Sequence, residues 1–195
     1  MKWGGRRRRA ADSHIRPPDA DPDQIVMAAL ELIESGQEDA ALGLLMPLAD
    51  AGMREAVVIV GMHLVEQGDY DAAEPLLRGL AAQGDADCMY QLGMISLRRG
   101  NDEAAARRWF LGGASQAHTG SMFQLGTAAL KDKQLRDARY WLGRAAVDGD
   151  AEAMSNLGVA LHNSGDLDGA RLWWQRAADQ GDQLALRNLQ LTASP

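Results

Sequence analysis

His14, His63, His118 and His162, together with Cys88, are the side chains best suited to acid–base, nucleophilic or metal chemistry. Their spacing argues against all three. No His-x-x-x-His pair occurs, and no glycine-rich phosphate loop follows a strand-like run. His63 and His162 fall at similar places in segments far apart in the chain, too distant to share a metal. Cys88 lies between Ala86 and Met89 with no basic neighbour to lower its pKa, which fits a structural thiol better than a nucleophile. The pairs Arg98-Arg99 and Arg107-Arg108 could clamp an anion or simply form a solvated face. No catalytic residue, metal ligand or cofactor site is therefore expected, and the chain is not expected to be an enzyme.

Gly-Asp pairs, at 68–69, 84–85, 149–150, 165–166 and 181–182, could belong to metal or phosphate loops. Their number and placement fit punctuation instead. Glycine ends a helix in the left-handed conformation without steric cost, and the aspartate caps the next one by accepting from free amides of its first turn.

The elements between these pairs repeat. Leu-Gly falls at 92–93, 125–126 and 157–158, with Val60-Gly61 upstream and Leu189 downstream, in steps of 32, 33, 32 and 32 residues. Trp109, Trp141 and Trp173 recur every 32 residues, each three residues after an alanine (Ala106, Ala138, Ala170). Leu76 and Leu44 continue the series after Ala73 and Ala41. Each unit reads as two helices. Met154, Leu157 and Leu161 form the apolar stripe of a first helix, and Leu167, Ala170, Trp173-Trp174 and Ala177 that of a second. On this reading the alanine faces the partner helix and the tryptophan of the Ala-x-x-Trp pattern fills the space between pairs. Neither helix can bury its stripe alone, so successive pairs must stack.

Leu-Gly in the first helix, Ala-x-x-Trp in the second and the exit Ala145-Ala146-Val147-Asp148-Gly149-Asp150 resemble the Sel-one-like repeat (SLR) family, a relative of the tetratricopeptide repeats (TPR). The resemblance covers about residues 21–191. It implies an all-α fold, a right-handed solenoid of helix-turn-helix repeats, that holds proteins or peptides and has no chemistry of its own. The chain departs from the family in its 32-residue period, nearer to the tetratricopeptide's ~34, and in carrying Met89, Met122 and Met154 where a large aromatic is usual. The units are placed at about 21–52, 53–84, 85–117, 118–149 and 150–181, with a capping helix over 182–191 and a frayed tail over 192–195. Pro47 is expected to kink or shorten the second helix of unit one. Unit four has the weakest punctuation: His118 replaces the capping aspartate, with Thr119 as a substitute, and Lys133-Gln134 replaces Gly-Asp.

Residues 1–20 form a different segment, expected to be a disordered basic arm. It carries Arg6, Arg7, Arg8 and Arg9 and a net charge of +4, against −7 for the whole chain. No apolar region follows the arginines, so a secretory or twin-arginine signal is not expected. The arm could hold nucleic acid or an anionic membrane through phosphate contacts, or be a solvated tail or an extension from an early start codon. No apolar run reaches the ~18 residues of a transmembrane segment. One cysteine excludes an internal disulfide framework, which is consistent with a reducing, cytoplasmic setting and a monomer or weak dimer.

By analogy with the resembled families, the first helices line the concave side, where a binding site is expected. The wall positions are two residues before and two after the Leu-Gly leucine: Val26, Leu30, Val58, Met62, Tyr90, Met94, Phe123, Thr127, Ser155 and Val159. Val58, Met62, Tyr90, Met94, Phe123, Thr127 and Val159 are the candidate peptide groove, with Tyr90 and Phe123 as its expected anchors and Glu55, Glu66 and Asp87 as its acidic border. Some of these side chains could instead pack inside the wall. Residues 21–90 hold 14 acids and 2 arginines, residues 91–195 hold 11 acids and 12 basic residues, so the N-terminal half suits a basic partner. The expected function is a non-catalytic protein–protein interaction scaffold for a protein or peptide segment. The alternative is a nucleic-acid- or membrane-associated adaptor acting through the arm.

Overall fold

A computed structural model of the chain describes residues 21–193, and side chains as far as Thr192. The arginine-rich arm and the last two residues lie outside that range. Among the described residues there are eleven α-helices and no strand: α1 (Pro22–Glu34), α2 (Glu38–Asp50), α3 (Arg54–Glu66), α4 (Tyr70–Ala81), α5 (Ala86–Gly100), α6 (Glu103–Ser115), α7 (Thr119–Lys131), α8 (Leu135–Val147), α9 (Ala151–Asn163), α10 (Leu167–Asp179) and α11 (Gln183–Ala193). Each helix packs on its neighbours in chain order, giving five pairs and a final single helix, an all-α solenoid. Three of the first helices also touch the next first helix directly, α3 on α5, α7 on α9 and α9 on α11. No pair of second helices meets to the same extent, so the odd-numbered helices form the inner wall.

The helix ends follow from residue type. Asp21, Asp69, Asp85, Asp102, Asp150 and Asp166 each accept a backbone amide of the first turn they cap. Gly68 at φ 77° is representative of the turn before them: its amide bonds Val65 O and the Asp69 amide bonds Leu64 O, closing a Schellman turn. The same left-handed seat is held by non-glycine residues at Asn101, Ala117 and Lys133. Asn101 accommodates the extra residue of unit three, because asparagine enters this region more easily than other side chains. At the start of α7 the His118 ring itself is the cap: Nδ1 accepts the Ser121 amide at 3.0 Å. Thr119, expected as the substitute, lies inside α7 and donates to Asp148 instead. Gln134 before α8 offers no side-chain cap.

Unit four therefore has a strained left-handed residue at its entrance, Ala117, another inside it, Lys133, and one uncapped helix. Ala117→Gly and Lys133→Gly are each expected to stabilise the protein by about 0.5–1 kcal/mol, the relief of left-handed strain less glycine's entropy in the unfolded chain. Thermal denaturation checks this, and a lower Tm for either variant would contradict it. Amide exchange should also be faster at 131–135 than at 117–119, where the histidine cap holds.

Three local expectations are corrected. Pro47 does not shorten α2, which keeps 13 residues; the carbonyl deprived of its bond belongs to exposed Gly43, where water can satisfy it. The last helix does not fray at Thr192. It continues to Ala193, with the Thr192 hydroxyl bonded back to Asn188 O and the Arg171 guanidinium donating to Thr192 O. Finally, Trp109, Trp141 and Trp173 do not fill the core. They are half-buried, with Arg144 and Arg176 over two of the rings, and Leu167 is exposed. The buried seat is the next residue, Leu45, Leu77, Phe110, Leu142 and Trp174, four after the repeating alanine and so on the same helix face. Gly61, Gly93, Gly126 and Gly158 open that seat; a Cβ on any of them would fall within 2.4–2.5 Å of the facing side chain.

Candidate functional site: the first-helix wall

The wall is open at one end and closed at the other. Met27 is 60% exposed, Met62 41%, and Leu30 is also exposed, with half-buried Val58 and Ile59 between them on α3. Further along, Tyr90, Met94, Phe123 and Val159 are half-buried and pack against the core formed by α6–α11. Tyr90 lies 5.9 Å from the Phe110 ring and 5.0 Å from that of His118. Two of the ten wall positions are not on the surface. Val26 is core, and Ser155 is 1% exposed because the backbone of α9 is drawn under the Trp174 indole, whose Nε1 donates to Ser155 O at 3.0 Å. Ser155 Oγ and Thr127 Oγ1 are buried without a hydrogen-bond partner among the described residues. The exposed apolar surface is thus centred on α1 and α3, not on Tyr90 and Phe123. Met27 and Ile59, one residue before the Leu-Gly position, belong to the same face and were missed by a two-residue offset; the adjacent positions of a helix turn carried the signal.

The acidic border divides in two. Asp87 is taken: Arg54 of α3 donates to it at 2.7 Å and to Asp85 at 2.6 Å, and His118 Nε2 stands 3.3 Å from its other oxygen. Arg54 is held above its ordinary pKa, first by its hydrogen bond to Asp85. Burial alone would raise the Asp85 carboxyl, but the Cys88 amide and thiol and then Arg54 outweigh it and hold that carboxyl below the usual range. Burial, and then Asp85, push the Cys88 thiol up to about 12, so it stays protonated and inert. By contrast Glu55 and Glu66, and Glu31 and Glu34 on α1, are exposed and have no basic partner among the described residues. Glu55 and Glu66 stand at the two ends of α3, and Glu31 and Glu34 in the last turn of α1.

Among the described residues no three His, Cys, Asp or Glu side chains are grouped to hold a metal ion, and no helix is long and apolar enough to cross a membrane. His63 stands 3.8 Å from Glu38, and the His162 ring 5.7 Å from Trp174, each in its own unit. Arg6 to Arg9 lie outside the described residues.

The tetratricopeptide-repeat family matches residues 61–119, and a second profile of that description matches 151–179. No curated protein matches the sequence significantly. Among solved structures the chain is similar to a Sel1 repeat protein from Oxalobacter formigenes, with a TM-score of 0.67 and 23% identity over 78% of this chain and 49% of that one. It is similar to a protective antigen of uropathogenic Escherichia coli displaying an SLR fold, with a TM-score of 0.75 and 19% identity over 87% of this chain and 40% of that one. The chain thus spans less than half the length of these two proteins. It is also similar to YrrB, a TPR protein with an unusual peptide-binding site, with a TM-score of 0.56 and 19% identity over 87% and 92% of the two chains. A 32-residue helix-pair period, a glycine seat under four of the five second helices and these likenesses agree on the fold: the chain is an all-α helical-repeat solenoid, similar to tetratricopeptide and Sel1-like repeat proteins.

Proposed function

We propose that the protein is a non-catalytic, cytoplasmic scaffold that holds a protein or peptide segment along its first-helix wall. The observation that carries this reading is the exposure of Met27 and Leu30 on α1 and of Met62 on α3, with half-buried Val58 and Ile59 and the unpaired carboxylates of Glu31, Glu34, Glu55 and Glu66 on the same two helices. Exposed apolar surface of this kind marks interaction sites, and methionine adapts its shape to a partner. The matching ligand is a segment with apolar anchors and positive charge. Tyr90, Met94, Phe123, Thr127 and Val159 extend the groove towards α9 as a stiffer, half-buried floor. The peptide-binding site of YrrB, on a similar solenoid, lends the reading general support.

Because Met62 and Glu66 are exposed, substitutions there leave the core intact, whereas Tyr90→Ala would also disturb Phe110. Met62→Glu is expected to weaken capture of the native partner at least tenfold, about 1.4 kcal/mol. Glu55→Lys/Glu66→Lys is expected to weaken it further at low salt. Crosslinking and capture from the native cell, with purified parent and variants compared by circular dichroism, tests this. If the folded variants capture as well as the parent does, the wall is not the site. A chain lacking residues 1–20 should capture the same partner.

A further inference from the structure

The second helices carry a charge pattern of their own. The residue after the repeating alanine is Leu42, Glu74, Arg107, Arg139 and Arg171 in the five units, so arginine occupies one register on three successive helices. Between α8, α9 and α10 this register opens on a cleft of about 470 Å³. Its floor is nearly buried Leu157 and Leu161, one side is Trp173, and the rim is Arg136, Arg139 and Tyr140. None of these six is among the wall residues above.

Three features make this cleft a receptor and not a gap in packing. No carboxylate among the described residues lies within 4.0 Å of Arg136 or Arg139, so both guanidinium groups are free. Tyr140 is 57% exposed yet braced edge-on against Trp141, with ring centroids 4.8 Å apart, and Trp173 is braced by Arg176 at 4.7 Å. The corresponding cleft between α4, α5 and α6 is larger, about 710 Å³, and two of its three arginines are paired, Arg78 with Glu74 and Arg99 with Asp71 and Glu74, which leaves Arg108 alone. A pair of free arginines with no acid in the lining distinguishes the α8–α10 cleft from this one.

We propose that this cleft is a second binding site, which takes an acidic protein segment carrying a bulky apolar side chain. The apolar side chain enters between Leu157, Leu161 and Trp173. Carboxylates one or two residues away meet the Arg136 and Arg139 guanidinium groups, whose planar donors suit bidentate carboxylate binding. Fixed aromatics beside free arginines are the residue types that dominate binding energy. A protein segment is favoured over nucleic acid by the aliphatic floor of Leu157 and Leu161 and by the presence of two arginines only, where nucleic-acid affinity needs many phosphate contacts. With the first-helix wall suited to a basic segment, the solenoid holds two partners of opposite charge on separate faces. The site itself does not depend on the wall reading.

The test uses the full chain and two twelve-residue probes, one with a Leu-Phe pair among glutamates and one with lysines in their place. Titration with the acidic probe should shift the amides of Arg139 and Tyr140 and the Trp173 indole, and the lysine probe should not. Arg136→Glu/Arg139→Glu, with Arg136→Gln/Arg139→Gln as a milder second variant, should weaken the acidic probe at least about tenfold by fluorescence anisotropy while keeping the parent's thermal melt. Absence of shifts at the cleft with the acidic probe overturns the proposal, as does undiminished binding by either folded variant. Tighter binding of a twelve-nucleotide oligothymidine than of the acidic probe at the same residues would overturn the choice of ligand class.

Discussion

Replacing Gly126 by alanine is expected to destabilise the protein by about 2–3 kcal/mol, although alanine is the better helix former. The added Cβ would stand 2.5 Å from Leu142 Cγ and 2.9 Å from the Leu142 backbone nitrogen. A side chain can rotate away; a helix backbone cannot, so α7 and α8 must separate. Leu142 is fully buried, and the separation loosens the seat that every unit repeats. Overpacking of this kind costs about 1–3 kcal/mol and sometimes more, while the gain from propensity is about 1 kcal/mol. For a chain of this size the result is a fall in Tm of roughly 5–10 °C. Gly143, on the outer side of α8, is the matched control: a Cβ there meets nothing within 4 Å. Gly143→Ala should be neutral or stabilising. If the two alanine variants melt alike, the helices of unit four do not approach as closely as described.

That seat explains why so much of the fold could be read from the residues. A glycine kept inside a helix costs stability unless something must come close, so Gly61, Gly93, Gly126 and Gly158 announced a facing helix. The Asp caps announced helix starts in the same way. Reasoning failed where two neighbouring residues share one stripe. Trp173 and Trp174 lie within one arc of α10, and periodicity alone does not separate the buried ring from the half-buried one. His118 looked like a lost cap because histidine is not a usual capping residue; the ring reaches the Ser121 amide because Asp87 and Tyr90 of the preceding unit position it. The groove was only partly legible for a related reason. The offset of two from Leu-Gly fixes a helix face, but how far that face opens depends on stacking between units, which buried Val26 and Ser155 and left Met27 exposed. Charge pairing across units was legible in principle. A residue one period away is a neighbour, and Arg54 meets Asp85 and Asp87, 31 and 33 residues on. The same reasoning shows why Arg136 and Arg139 stay free: they occupy the places that Asp71 and Glu74 hold in the earlier cleft, and the places of Arg78 and Arg99, which pair with those acids, carry Gly143 and Ser164.

Trp174→Ala should have the largest effect of any single replacement considered, about 3–5 kcal/mol. The indole is 3% exposed, covers Gly158, touches the His162 ring and donates to Ser155 O. Its removal leaves a cavity between α9 and α10 and a carbonyl without its side-chain donor. A solenoid is held unit by unit through contacts with its neighbours alone, so the damage should stay local. Amides of α9, α10 and α11 should lose their protection from hydrogen exchange, while those of α1–α4 keep the parent's rates. Trp173→Ala is the telling comparison. Its ring is half-buried on the rim of the acidic-segment cleft, so truncation should cost much less stability, with protection of α9 largely preserved. The two side chains are identical and adjacent in sequence, so the difference between the variants reports their surroundings, burial together with the bond to Ser155 O. A larger stability loss for Trp173→Ala than for Trp174→Ala would mean that the position three residues after Ala170, and not the one four after it, is the core seat.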